Sequence, residues 1–93
     1  MRRIDRTGAF KRDYKRESKG RHLATLEAEL TEALKLLIID APLPERYHDH
    51  PLSGDWKDHR DCHIKPDLIL IYRKPDIERL QLVRPGSHSE LGL

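Results

Sequence analysis

The hydrophobic period of the chain changes once, near Pro44. Before that point apolar residues recur at helical spacing. Phe10 and Tyr14 stand four apart in "GAFKRDYKRESKG", and Leu23, Leu26, Leu30, Ala33, Leu34 and Leu37 continue a stripe of period 3.6. Thr7 is the expected N-cap of the first helix and Gly20 its terminating residue. The second helix should close before "DAPLP", because Pro42 disfavours helical geometry at Ala41. Two helices with so short a connection are expected to pack as an antiparallel hairpin. Ahead of them, "RRIDRT" reads as a short opening strand with Ile4 facing inward.

After Pro44 the segments are of strand length: "ERYHDHPL", "WKDHRDCHI", "DLILIYR" and "IERLQLVR". The triplets between them, "SGD" and two copies of "KPD", supply residues that fix φ or tolerate left-handed geometry, which marks tight turns. "DLILIY" is almost continuously apolar and suits a central strand. The pattern predicts an α+β fold in which a short N-terminal strand and a helical hairpin pack on an antiparallel β-meander, as one domain over residues 1–93.

Composition narrows the classes. Ninety-three residues leave room for one core. No apolar run approaches the roughly 20 residues needed to cross a bilayer, and "MRRIDRTGAF" lacks the apolar stretch that follows the charges of a secretory signal. Cys62 is the single cysteine, so an internal disulfide is excluded and a reducing cytoplasm is expected. The net charge of +2 hides an asymmetry: residues 1–22 hold nine Lys/Arg against three acids, which leaves the remainder net negative. Lys11, Arg12, Lys15, Arg16 and Lys19 fall on the first helix, where such a block fits either a phosphate-bearing partner or a solvated face.

The chemistry concentrates in "WKDHRDCHIKPD", which carries His59, Asp61, His63 and Asp67. If the two "KPD" triplets reverse the chain, His63 comes opposite about Asp67, and Asp67 level with about Val83 and Arg84. His88 then lies just beyond the same end of the sheet, and His50 can lean towards it from the preceding strand. Three readings fit such a cluster. RNA cleavage without a metal needs a base, an acid and a cation for the phosphorane, and imidazole and guanidinium meet those needs. A zinc site could draw on His48, His50, Cys62, His63 and Asp67, but their spacing matches no compact motif, and Cys62 and His63 should face opposite ways on a strand. Alternatively the polar loop ends simply cluster, with His48 and His59 exposed.

"YHDHPLSGDWKDHRDCHIKPDLILIY" followed by "LVRPGSHSEL" resembles the YafQ type of toxin in the RelE/ParE superfamily, and the likeness extends through "FKRDYKRE" and "PLPERYHDHPL". The resemblance implies a ribosome-dependent endoribonuclease that cuts mRNA in the decoding site without metal or other cofactor. It also implies a cognate antitoxin, with the toxin monomeric alone and hetero-oligomeric with that partner. The family's catalytic positions fall on His50, His63, Asp67, Arg84 and His88. On this reading His88 serves as acid and Asp67 or His50 as base, two assignments that could be exchanged, with Arg84 as phosphate stabiliser, His63 as orienting or relay group, and Lys11, Arg12, Lys15, Arg16 and Lys19 holding ribosomal RNA. The alternative is a non-catalytic, ParE-like member acting through its antitoxin or on another target. This chain departs from the family pattern at Gly92, where a phenylalanine is expected, at Leu68, where an aromatic can stand, and at Pro85.

Overall fold

The first helix begins where its capping chemistry starts. In the computed structural model, which describes residues 1–19 and 23–93, the opening strand β1 (Arg3–Arg6) runs into helix α1 (Gly8–Ser18) through Thr7. The Thr7 hydroxyl accepts from the Phe10 N–H at 2.9 Å and donates to the Val83 carbonyl at 2.6 Å, so one residue caps the helix and ties it to the sheet. Gly20 lies outside the described residues, as does the side chain of Leu23. Helix α2 (Leu23–Ile38) presents Leu26, Leu30, Ala33 and Leu37 to the core and ends before Pro42.

The remaining elements are a 3-10 turn at Glu45–Tyr47, β2 (His50–Pro51), a second 3-10 turn at Gly54–Trp56, β3 (Arg60–Lys65), β4 (Leu68–Asp76), β5 (Arg79–Gly86) and the short helix α3 (His88–Leu91). They form one sheet of order β1-β5-β4-β3-β2. Four strands are antiparallel as expected, but β1 pairs parallel to β5, so the sheet is mixed. Ile4 stands beside the buried Leu80 in the register but remains 42% exposed, because β1 is an edge strand.

Two cores form on the two faces. Between helices and sheet, Phe10, Leu26, Leu30, Ala33 and Leu37 pack on Cys62, Ile64, Leu68, Leu70, Tyr72, Leu80 and Leu82. On the far face Ile69, Ile71 and Leu91 make a smaller cluster against Leu52, Trp56 and Val83. The unbroken apolar run of β4 serves both, each alternate residue going to one face.

Several boundaries differ from the sequence pattern. "ERYHDHPL" supplies only a two-residue strand: Tyr47 is drawn into the core from the 3-10 turn, and His48 adopts the left-handed region at φ 48°, which breaks the extended run. "WKDHRDCHI" becomes strand only at Arg60, after Gly54 and Asp58 take φ 64° and 68°. The second "KPD" is not a turn. β4 continues to Asp76, whose carboxylate accepts from the Glu78 N–H at 2.8 Å and makes the reversal there.

This shifts the register: Ile71, not Asp67, stands opposite Arg84, and Ile69 stands opposite both His63 and Gly86. Pro85 belongs to β5, not to a loop, at a level where β1 has ended and the strand has a free edge that tolerates proline. Leu68 is a buried core residue of β4, and Gly92 at φ 73° closes α3 in a conformation that disfavours a phenylalanine.

Candidate active site

The site grows from strand alternation on β3. Cys62 and Ile64 turn to the helices, so Asp61 and His63 turn to the other face, where the smaller apolar cluster forms their floor. His50 on β2 pairs directly with Asp61 and shares that face. His88 arrives from α3, which is fixed at several points. Ser87 and Glu90 form a reciprocal capping box, Leu91 is buried in the floor, and the Trp56 indole N–H donates to the Leu91 carbonyl at 3.1 Å.

Three imidazoles consequently stand in a row. The ring centres of His48 and His63 are 5.2 Å apart, and those of His63 and His88 are 5.3 Å apart in an edge-to-face arrangement. Beneath them Asp61 is only 2% exposed. Its Oδ1 lies 2.9 Å from His50 Nδ1, but that nitrogen points to the His48 carbonyl at 2.7 Å. The carboxylate oxygen is therefore sealed from solvent without an aligned hydrogen bond among the described residues. A carbonyl can only accept, so His50 carries its proton on Nδ1 and, when neutral, keeps Nε2 as a free acceptor.

The electrostatics reflect this crowding. Burial pushes the Asp61 carboxyl up, against the pull of His50, His63 and His88. His63 is held below the ordinary histidine value first by burial, with His48, His88 and His50 adding like-charge repulsion and Asp61 opposing. A neutral His63 beside an exposed His88 suits proton transfer near neutral pH. The row borders a cleft of about 690 Å³ whose lining includes His48, His50, His63, Arg46 and Tyr47.

Of the residues singled out from sequence, His50, His63 and His88 come together. Asp67 does not join them. It sits exposed in the β3–β4 turn and lines a separate cleft of about 410 Å³ with Ser87 and Glu90, on the flank of the segment that carries His88. Arg84 stands opposite Ile71, past an irregularity in β5 that leaves Leu82 opposite Tyr72 and Val83 as the extra residue, and its side chain is tied to α1. Its Nε donates to Asp13 Oδ2 at 2.9 Å, and Asp13 is 2% exposed. Burial would raise the Asp13 carboxyl, but the Arg84 hydrogen bond and the charges of Arg84 and Arg12 outweigh it and hold it below the usual range.

Two members of the site are underrated by the sequence pattern. Asp61 carries a readable signal, since it stands two residues before His63 on one strand and must share its face. His48 carries none, because its placement depends on the left-handed break. His59 packs edge-on against Trp56 with ring centres 5.4 Å apart, and its Nδ1 is 2.9 Å from the Lys57 carbonyl, so it belongs to the loop. Cys62 lies in the helical core with its thiol pushed up to about 12 by burial, which makes it packing and not a ligand. Among the described residues no group of three or more His, Cys, Asp or Glu is arranged to hold a metal ion.

The five basic residues of α1 and its C-cap, Lys11, Arg12, Lys15, Arg16 and Lys19, are all exposed, and Arg16 reaches Glu90 of α3 at 2.7 Å. The charged helix thereby adjoins the segment that carries His88. Among the described residues no helix is long and apolar enough to cross a membrane.

Comparison with known proteins agrees along the whole chain. A family model described as bacterial toxin of type II toxin-antitoxin system, YafQ, matches residues 2–92. The mRNA interferase toxin YafQ of Escherichia coli K12 is 42% identical over 92 residues, which is 98% of this chain and 96% of that one. Among solved structures, YafQ in the E. coli DinJ-YafQ toxin-antitoxin complex superposes with a TM-score of 0.79 at 41% identity, covering 97% of this chain and 96% of that one. A metal-bound toxin from Helicobacter pylori does so with a TM-score of 0.83 at 43% identity, over 98% and 99% of the two chains.

Proposed function

The chain belongs to the YafQ family of toxins from type II toxin–antitoxin systems, and we propose that it is a ribosome-dependent endoribonuclease that cuts mRNA in the decoding site. The observation that carries this reading is the row of His48, His63 and His88 over the buried Asp61, with His50 beside it, assembled from four separate segments. In the proposed reaction His50 Nε2 removes the 2′-hydroxyl proton and the 2′-oxygen attacks the adjacent phosphorus. His88, protonated, then gives its proton to the departing 5′-oxygen. The products are a 2′,3′-cyclic phosphate and a 5′-hydroxyl, and the two histidines have exchanged protonation states. His63 orients or relays between them.

The orientation of His50 favours it as base over Asp67, which lies out in the turn. Asp67 is assigned to the neighbouring stretch of message. Arg84 serves as the phosphate-contacting cation through its terminal nitrogens while Asp13 holds its Nε. A cognate antitoxin is the expected partner, since a YafQ relative is solved in such a complex.

The test is a translating extract with a defined message. Cleavage is expected only on messages engaged by ribosomes, and it should disappear when initiation is blocked or the antitoxin is present. Equal cutting of naked RNA removes the ribosome from the reading, and no cutting at all removes the nuclease.

The basic helix supplies a separate expectation. Replacing Lys11, Lys15 and Lys19 together with glutamine should weaken ribosome association and flatten its salt dependence by roughly one phosphate contact for each productive lysine. Co-sedimentation with ribosomes across a salt series measures it. Unchanged binding at every salt concentration assigns these charges to solubility.

A further inference from the structure

His48 lies outside the residues assigned to the reaction, yet it touches two of them in different ways. Its carbonyl oxygen is 2.7 Å from His50 Nδ1, and its ring centre is 5.2 Å from that of His63. Both contacts depend on the backbone of His48 itself. It occupies the left-handed region at φ 48° as the residue that ends the Glu45–Tyr47 turn, with its N–H donating to the Glu45 carbonyl. A non-glycine residue there is strained, and such strain persists only where the surroundings impose it. Tyr47, buried one residue earlier, and Asp49, held by Tyr72 and Arg60 one residue later, impose it here.

We propose that His48 is a positioning residue of the site, whose carbonyl orients the His50 ring and whose imidazole packs against His63 so that both rings offer unprotonated nitrogens to the substrate. The carbonyl fixes the His50 proton on Nδ1 and leaves Nε2 as the acceptor that the base needs. The imidazole covers one side of His63 while His88 takes the other. That cover removes water from His63 and opposes a second positive charge beside it.

The titratable groups that face His63 are Asp61 from its own strand, His50 from β2, His88 from α3 and His48 itself. Asp61 favours protonation of His63, and the three imidazoles disfavour it. Around the cleft, Arg46 is paired with Glu32 and Lys65 with Glu29, so their charges largely cancel in pairs. His48 is thus the removable member of the set that keeps His63 neutral, since it takes no part in the proposed proton transfers.

This inference rests on the nuclease reading, but its test on the isolated toxin does not. In His48→Asn the side chain tolerates the left-handed backbone and the carbonyl stays in place. Imidazole resonances followed through a pH titration should show His63 becoming protonated at higher pH than in the unaltered chain. His50 should keep its proton on Nδ1. In the cleavage assay the acid limb of the rate profile should move to higher pH, lowering the rate at pH 6 about two- to threefold through the loss of neutral His63. His48→Lys, which places a cation beside His63, should return the limb towards its original position.

An unmoved His63 titration in His48→Asn overturns the proposal, and a lowered Tm with that same titration assigns His48 to structure alone. A shifted titration in a protein that cuts no message leaves this inference standing and removes the nuclease reading instead.

Discussion

His88→Ala is expected to lower cleavage of ribosome-engaged message by about 10²–10⁴-fold, the usual contribution of a general acid. The fold should survive. His88 is exposed at the start of α3, and the groups that seat α3 remain: the Ser87–Glu90 capping box, the Trp56 hydrogen bond to Leu91 and the burial of Leu91 itself. The loss should appear in kcat and not in KM, since the proton is delivered in the transition state. Single-turnover cleavage on programmed ribosomes, alongside a thermal melt, checks both parts. A variant that melts normally and cuts at the parental rate assigns the acid to another group, and His63, 5.3 Å away, is the next in line.

Arg84→Ala is expected to cost about 3 kcal/mol of stability, because it takes the 2.9 Å hydrogen bond from the buried Asp13 carboxylate and leaves it only the exposed Arg12 at 3.5 Å. For a domain of this size that lowers Tm by roughly 10–20 °C. The pH dependence has a definite sign. In the unaltered chain the Asp13 carboxyl lies below its ordinary 3.8, so the pair's contribution is present above about pH 4 and is lost as pH falls through the lowered value. Without Arg84, burial is opposed only by Arg12 and the carboxyl rises from that lowered value. The variant's deficit should therefore be largest near neutrality and shrink in acid.

Adding Asp13→Asn should recover much of the stability, since no charge then remains buried. That double variant also isolates the reaction: if Arg84 contacts phosphate, it stays slow even when folded. Full recovery of cleavage in the double variant makes Arg84 a structural residue only.

How far the site can be read from the sequence depends on the kind of physics involved. The turn pattern places His63 and His88 together correctly even though its register is wrong. His63 leads into the β3–β4 turn and His88 comes after β5 at the same end of the sheet, so an error of a few residues does not separate them. Arg84 and Asp67 are misplaced by that same error, because their contacts depend on register within the strand pair. The second "KPD" has the composition of a turn, yet the reversal is made by the Asp76 carboxylate at its end, since a strand with a free flank tolerates Pro75.

Local periodicity and stereochemistry are enough to set the two amphipathic helices, the Thr7 cap, the apolar run of β4, the opposite facing of Cys62 and His63, and the basic surface of α1. Each is fixed by the spacing of side chains along a regular backbone, which needs no knowledge of distant neighbours. The parallel pairing of β1, the left-handed turn at His48, the capture of Arg84 by Asp13 and the sealing of Asp61 beneath the histidines are of another kind, settled by how the layers pack. Those features bring together groups up to 76 residues apart, as in the Thr7 bond to Val83. Their energies come from burial and charge pairing that exist only once the layers have met.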